Sequence, residues 1–228
     1  MLETIFSLNQ GFHVLIVDDG SPDGTAQIVR DWMNQHPDGV FLEERSGKQG
    51  LGTAYIHGFK WALSHSYQYI FEMDADFSHN PKDLIRLHHT CANGADVAVG
   101  SRYIKGGKTE NWPWDRNILS YGASVYVRLI TWLPVRDSTA GFVCYKREVL
   151  ESIHLDEIQF VGYAFQIEMK FTAWKLGFRI VEVPITFVDR KEGQSKMNKG
   201  IVKEGIFGVL KIQWQSLFRD YTGRVKRL

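Results

Sequence analysis

Apolar and polar positions fall into alternating blocks along this chain. Residues 12–17 form a continuous apolar run rich in β-branched side chains, stopped by Asp18-Asp19-Gly20-Ser21-Pro22. That pattern predicts a buried strand running into a loop. A helix is predicted from about Asp23, a strand over 40–43, a helix over 52–64 and a strand over 69–73. A helix over 81–92 follows, with Asn80 as its cap, and then a strand over 96–100. The second half is less regular. It predicts a helix over 118–133, a short strand over 141–145, a helix over 164–176 closed by Gly177, a strand over 179–188 and a last helical stretch over 201–218.

Strands that alternate with helices predict an α/β fold with a mainly parallel sheet flanked by helices. In such sheets ligands bind beyond the carboxyl ends of the strands. Three of the predicted strands run into Asp18-Asp19, Asp74-Ala75-Asp76 and Gly100-Ser101-Arg102, so one rim gathers carboxylates and an arginine. Without an internal repeat or low-complexity linker, the chain divides into a catalytic unit over 1–198 and an amphipathic helix with a basic tail over 199–228.

Composition narrows the classes of partner. With 228 residues, 44% hydrophobic, the chain has enough apolar material for one large domain. Lys and Arg (27) nearly balance Asp and Glu (26), which argues against a nucleic-acid coat protein. The balance is uneven along the chain: from Asp189 onward ten basic residues face four acidic ones, a net of +6 that leaves −5 for residues 1–188. A basic tail is either a solvated face or a surface attracted to anionic lipid. Cys91 and Cys144 lack zinc-ligand spacing, the chain opens without a secretory leader, and its apolar stretches fall short of the roughly 20 residues that span a bilayer. These features predict a cytoplasmic protein.

Asp74 and Asp76 directly follow an apolar strand, an arrangement that suits a divalent cation bridging phosphates, Mg²⁺ or Mn²⁺. Asp18 and Asp19 offer carboxylates at a second strand end, where a turn or helix cap is an equal use for them. The loop Arg45-Ser46-Gly47-Lys48-Gln49-Gly50-Leu51-Gly52-Thr53 enters a helix with amide groups and Lys48 available to phosphate, although it lacks the Walker order. Nor does G-x-G-x-x-G follow the first strand, which counts against a nicotinamide dehydrogenase. His79 either lines the site or caps and packs, and Trp112 and Trp114 are either core or lipid contacts.

Taken together, VDDGSPDGTA (17–26), ERSGKQGLGTAYIHGF (44–59), MDADFSHNP (73–81), VGSRY (99–103), DSTAGFVCYKREVL (137–150), GYAFQIEMKF (162–171) and VEVPITFVDRKEGQSKMN (181–198) resemble the dolichyl- or polyprenyl-phosphate mannosyltransferases, inverting glycosyltransferases of family two. The resemblance covers about residues 12–212. It implies a GT-A-like, Rossmann-like fold and metal-dependent inverting transfer of mannose from GDP-mannose to a polyprenyl phosphate at the cytoplasmic membrane face. Carried over, it makes Asp18 or Asp19 contacts of base or ribose, and places Lys48, Gly50 and Gly52 near the nucleotide. Asp74 and Asp76 address ribose, diphosphate and metal, with Ser78 as a third metal ligand where many relatives have Gln. Asp76, Arg102, Arg116, Arg190 and Lys196 form the catalytic group around the transferring phosphates. Asp137, Ser138, Glu168 and Ser195 join the substrate-binding set, with Asp137 and Glu168 as orienting partners of the arginines rather than general bases.

Such chemistry needs no strong base, because a lipid phosphate is already an anionic oxygen nucleophile and requires positioning and charge screening. The helical stretch over 201–218 carries Ile206, Phe207, Leu210, Trp214 and Leu217 beside Lys203 and Lys211, which predicts peripheral docking on anionic lipid. Family members begin with a strand ending in a P-x-Y-N-E-like segment, central in the sheet, followed by a helix. This chain starts inside that helix, so a gap in the sheet and a weakened nucleotide pocket are expected. Two other readings stay open: transfer of a different nucleotide sugar such as UDP-glucose to the same lipid class, and a non-catalytic membrane-associated family member.

Overall fold

A computed structural model describes residues 1–189, 199–219 and 221. In chain order the elements are α1 (Leu2–Phe6), β1 (Val14–Asp18), α2 (Thr25–Gln35), β2 (Val40–Glu44), α3 (Leu51–Leu63), β3 (Tyr69–Glu72), α4 (Asp83–Ala92), β4 (Val97–Ser101), β5 (Lys108–Glu110) and α5 (Trp114–Thr131). They continue as β6 (Val143–Lys146), α6 (Arg147–Ser152), a 3₁₀ turn at Leu155–Glu157, α7 (Tyr163–Lys175), β7 (Ile180–Pro184), β8 (Thr186–Val188) and α8 (Lys199–Ser216).

The centre is a four-stranded sheet in the order β3-β6-β4-β7. β4 is apolar at every position but its last two because both faces are covered. Val97 and Val99 pack with Val143 and Tyr145 toward α3, α6 and α7. Ala98, Phe142 and Cys144 face Leu84, Leu87 and Cys91 of α4. β4 pairs parallel with β7, and β6 runs antiparallel to both β3 and β4, so β3, β4 and β7 share one direction and the sheet is mainly parallel, as the alternation of elements predicted. The strand expected over 179–188 is two. It breaks at Ile185, whose N–H donates to the Ser101 carbonyl (3.0 Å), and β8 then leaves the sheet to pair with β5.

β1 and β2 form their own parallel pair, held from one side by α2 through Val29 and Val40. Among the described residues, β1 bonds no strand on its other edge, and β3 bonds only β6. Residues of both strands line a cavity of about 1810 Å³, together with His13, Trp61, Tyr67, Asp74, Asp76 and Arg102. Its lining is tied by the His13 Nδ1 and Tyr67 hydroxyl pair (2.9 Å) and by an edge-on contact of Phe12 with Phe71.

α5 begins at Trp114, four residues before the predicted start, with Pro113 ahead of it and Asp115 in its first turn. It stops at Trp132, whose backbone is left-handed (φ 60°) and whose N–H donates to the Arg128 carbonyl (2.9 Å). Glycine usually holds that conformation. α8 packs Val209 and Ile212 against Val127 of α5 and Phe171 of α7. The Tyr126 hydroxyl donates to the Ile206 carbonyl (3.1 Å), so the last helix is fastened to the catalytic unit.

Candidate active site

The Asp74–His79 turn follows β3 and is built by its own side chains. Asp76 Oδ1 accepts the Ser78 N–H (3.0 Å), Phe77 takes a left-handed backbone (φ 61°), and the Asp74 N–H donates to His79 Nδ1 (3.2 Å). His79 is buried, stacked on Phe142 and edge-on to Phe187. Burial holds its imidazole below the usual histidine range, so the ring stays neutral and its Nδ1 accepts. Of its two sequence readings, packing and capping thus describe the ring, which also lines the cavity. Ser78 is buried, and its carbonyl accepts the Val188 N–H (3.1 Å), which joins the turn to β8.

Behind the turn, the Tyr55 hydroxyl of α3 donates to Asp74 Oδ1 (3.0 Å). Deeper still, Glu72 and Lys170 are both buried. The Lys170 ammonium donates to the Ala140 carbonyl (2.6 Å) and to the Gln166 carbonyl and side-chain oxygens (3.0 and 3.1 Å), while Glu72 Oε1 accepts the Tyr145 hydroxyl (3.3 Å). Burial favours the neutral form of each, pushing Glu72 up to about 8 and Lys170 down to about 8, against the pull of their opposite charges.

Lining the same cavity, Arg102 ends β4. Its Nε and Nη2 fork onto Asp137 (2.7 and 2.6 Å), Nη2 also reaches Thr139 Oγ1 (2.9 Å), and its backbone N–H binds the same carboxylate (2.9 Å). Asp137 is fully buried. Its own backbone N–H and that of Arg136 are held by Glu182 of β7 (2.9 Å each), so β4, β7 and the 136–139 loop form one unit. Arg116 lies over the Trp112 ring (4.1 Å to the centroid) and pairs with Asp189 (2.8 Å); Arg102 lies 5.3 Å from the same ring centroid. Trp112 is thus an internal spacer between two guanidinium groups, the core alternative of its two sequence readings. Trp114 is exposed.

Asp74, Asp76, Ser78, Gly50, Arg102 and Arg116 all line the one cavity. The remaining residues expected at the site have other partners. Asp18 Oδ2 accepts the N–H groups of Gly20 (3.1 Å) and Ser21 (3.0 Å), closing the turn after β1. Asp19 is gripped by Arg45 through Nε (2.7 Å) and Nη2 (2.8 Å), which lowers its carboxyl below the usual range. Lys48 is exposed nearby. In the glycine loop, a Cβ on Gly52 would lie 2.8 Å from the Phe165 ring and 2.9 Å from the Phe160 carbonyl, so this glycine lets α3 start against α7. Ser138 is buried beside Ser124 (3.4 Å). Glu168 Oε2 accepts the N–H groups of Gln159 (2.9 Å) and Phe160 (3.1 Å) and organises the loop before α7, and burial raises its carboxyl. Arg190, Ser195 and Lys196 lie outside the described residues.

Sequence reasoning missed Arg45, Tyr55 and Glu182, each of which orients a carboxylate or loop of the site. Among the described residues no group of three His, Cys, Asp or Glu side chains converges as a metal cage. Two aspartates on one turn match a cation that keeps positions for diphosphate oxygens and water, so the donor set fits Mg²⁺ or Mn²⁺.

Comparison with known proteins agrees with this geometry. The chain is 47% identical over 197 residues to a polyprenol monophosphomannose synthase of Mycolicibacterium smegmatis, covering 86% of this chain and 74% of that one. An undecaprenyl-phosphate mannosyltransferase of Micrococcus luteus is 45% identical (90% and 85% covered). A dolichol-phosphate mannosyltransferase of Pyrococcus furiosus is 34% identical (90% and 56% covered). Among solved structures, glucosyl-3-phosphoglycerate synthase from Mycobacterium tuberculosis with Mn²⁺, uridine-diphosphate and phosphoglyceric acid superposes with a TM-score of 0.61 at 16% identity, over 92% of this chain and 74% of that one, a likeness of fold. The profile described as Glycosyl transferase family 2 matches residues 1–153. The strand-end aspartates, the arginine cluster that lines the same cavity and these matches lead to one statement: the chain belongs to glycosyltransferase family 2.

Proposed function

We propose that this protein transfers mannose from GDP-mannose to a polyprenyl phosphate, with Mg²⁺ or Mn²⁺ held by Asp74 and Asp76. The observation that carries the reading is that the Asp74–Asp76 turn and the Arg102–Trp112–Arg116 cluster line one cavity. The names of the relatives supply the sugar and the lipid class. When bound, the cation contributes charge neutralisation at the departing diphosphate.

In this reading an acceptor phosphate oxygen forms the new bond to the mannose C1 as the C1–O bond to GDP breaks, and the electron pair leaves with GDP. No proton has to move. The arginines supply the positive wall that holds the acceptor in line. Arg102 is locked by Asp137, so it acts as a fixed charge; Arg116, in a more exposed pair with Asp189, is the group able to turn onto a phosphate.

The acceptor tail calls for a surface, and two stripes supply one. Trp114, Ile118, Tyr121, Leu129 and Trp132 recur at helical spacing along α5, all exposed, and Phe207, Leu210, Trp214 and Leu217 do the same along α8. Among the described residues no helix is long and apolar enough to cross a membrane. These stripes support peripheral docking on anionic lipid at the cytoplasmic face. Phe207→Ser with Trp214→Ser lowers flotation with polyprenyl-phosphate liposomes if this docking is right.

The exposed apolar stripes of α5 and α8 fit a second reading equally well, a non-catalytic, lipid-docking family member. The deciding assay is transfer from radiolabelled GDP-mannose, and separately UDP-glucose, to polyprenyl phosphate with and without EDTA. EDTA-sensitive mannosyl lipid supports the proposal; glucosyl lipid alone changes the donor, and flotation without transfer selects the second reading.

A further inference from the structure

Tyr55 stands on α3 one turn beyond the glycine loop, and its hydroxyl meets Asp74 Oδ1 at 3.0 Å. The ring has little freedom to move. It lies nearly parallel to Phe165 (8°, centroids 6.0 Å apart) and stacks on Phe59 (6.3 Å). α3 is itself pressed onto the segment before α7, where the Gly52 N–H donates to the Val161 carbonyl (2.9 Å) and the absent Cβ of Gly52 admits Phe165. One rigid helix thus carries both the glycine loop at its start and a donor aimed at the first aspartate of the Asp74–Asp76 turn.

We propose that Tyr55 is a positioning residue: its hydroxyl fixes the rotamer of Asp74, turning the second carboxylate oxygen toward the cation and diphosphate, and so couples the glycine loop to the metal turn through α3. This rests on the metal-dependent reading given above. A carboxylate bonded on one oxygen by a held phenol presents the other in a single direction. Without that bond it samples several, and cation binding has to select among them.

Tyr55→Phe removes the hydroxyl and keeps both ring stacks. Hydrogen bonds to charged groups contribute about 1.5–3 kcal/mol, a factor of about 10 to 100 in binding. Mn²⁺ titration of the purified full chain in the presence of GDP, followed by electron paramagnetic resonance, is expected to show affinity weakened about tenfold or more. In transfer assays the Mn²⁺ concentration for half-maximal rate rises by a similar factor, and saturating Mn²⁺ restores the rate to within about threefold. In an Asp74→Asn background the same substitution changes Mn²⁺ affinity less than twofold. Phe59→Leu, which loosens the stack and leaves the hydroxyl, lowers the melting temperature and keeps Mn²⁺ affinity. Mn²⁺ affinity unchanged in Tyr55→Phe, or lowered equally with and without Asp74, overturns the positioning role while wild-type metal-dependent transfer stands. A wild-type protein that binds no Mn²⁺ with GDP overturns the metal reading and the role of Tyr55 together.

Discussion

Among the described residues, two arginine–aspartate forks sit in contrasting surroundings. Arg102–Asp137 is anchored in the four-stranded sheet, with Asp137 fully buried, its backbone held by Glu182 and aromatic rings around the guanidinium. Arg45–Asp19 joins the end of β1 to the glycine loop, and Asp19 keeps about a fifth of its side chain exposed. The same geometry therefore does two jobs. In the sheet it makes a charged wall whose position is fixed by the core, and a fixed charge needs no reorganisation when a phosphate arrives. On the β1–β2 pair, which has an open edge, it clips a loop to a strand that few neighbours hold. Preorganisation is concentrated around Arg102, whereas the fork at the end of β1 has fewer neighbours to hold it.

Removing the acid from each fork gives the sharpest contrast. Asp137→Ala removes the fully buried carboxylate onto which Arg102 forks and is expected to cost about 3–5 kcal/mol of unfolding free energy. Asp19→Ala, at a partly exposed pair, is expected to cost about 1 kcal/mol or less. Urea unfolding measures both, and equal costs would break the comparison.

Asp76→Asn keeps the size of the side chain and the turn it caps but removes a charge from the rim. Transfer is expected to fall by roughly 10²–10³-fold with the melting temperature nearly unchanged, a loss like that of one electrostatic group at a reacting centre. A folded Asp76→Asn protein with normal transfer and metal dependence removes Asp76 from the metal site.

A smaller effect belongs to the buried pair under the rim. Glu72 is raised from 4.5 to about 8, so between those values the folded chain holds a proton that the unfolded chain has released. Its contribution is complete below pH 4.5 and is lost as pH rises through 8. Lys170 is lowered from 10.5 to about 8, so between 8 and 10.5 the unfolded chain holds the extra proton and stability rises with pH. The pair's contribution passes through a minimum near pH 8, with slopes of about 1.4 kcal/mol per pH unit at most. Urea midpoints at pH 5.5, 8 and 10 for wild type and for Glu72→Gln with Lys170→Met test it: the double variant should flatten the dip, and an identical dip assigns it to other groups.

Much of the scaffold was legible because its strands are short apolar runs stopped by Asp, Gly or Pro, and its helices show spaced apolar faces. β5 was not, since Lys108-Thr109-Glu110 has no apolar period and becomes a strand only by pairing with β8. The start of α5 was read late because Trp114-Asp115-Arg116-Asn117 opens on mixed polarity; Pro113 and Asp115 were the signals available. In the candidate site, Asp74, Asp76, Arg102 and Arg116, which line one cavity, are marked in the sequence by a strand end or a family segment. Tyr55, Arg45 and Glu182 act on partners 19, 26 and 45 or 46 residues away, separations that carry no local period. Glu168, a carboxylate in a family segment, accepts bonds from the backbone of its own loop, which its place in that segment does not announce.

Trp132 closes α5 in a left-handed backbone with its indole 80% exposed, a poor choice for a protein optimised only for life in water. Glycine there would relieve roughly 1 kcal/mol of backbone strain and remove a large apolar surface from solvent. Selection for solubility or heat resistance in a lipid-free screen would be drawn to Trp132→Gly early. On the proposed docking, that choice costs grip on a bilayer, so thermal tolerance and performance at the interface pull this position in opposite directions, and a stabilised version is best chosen with liposomes present.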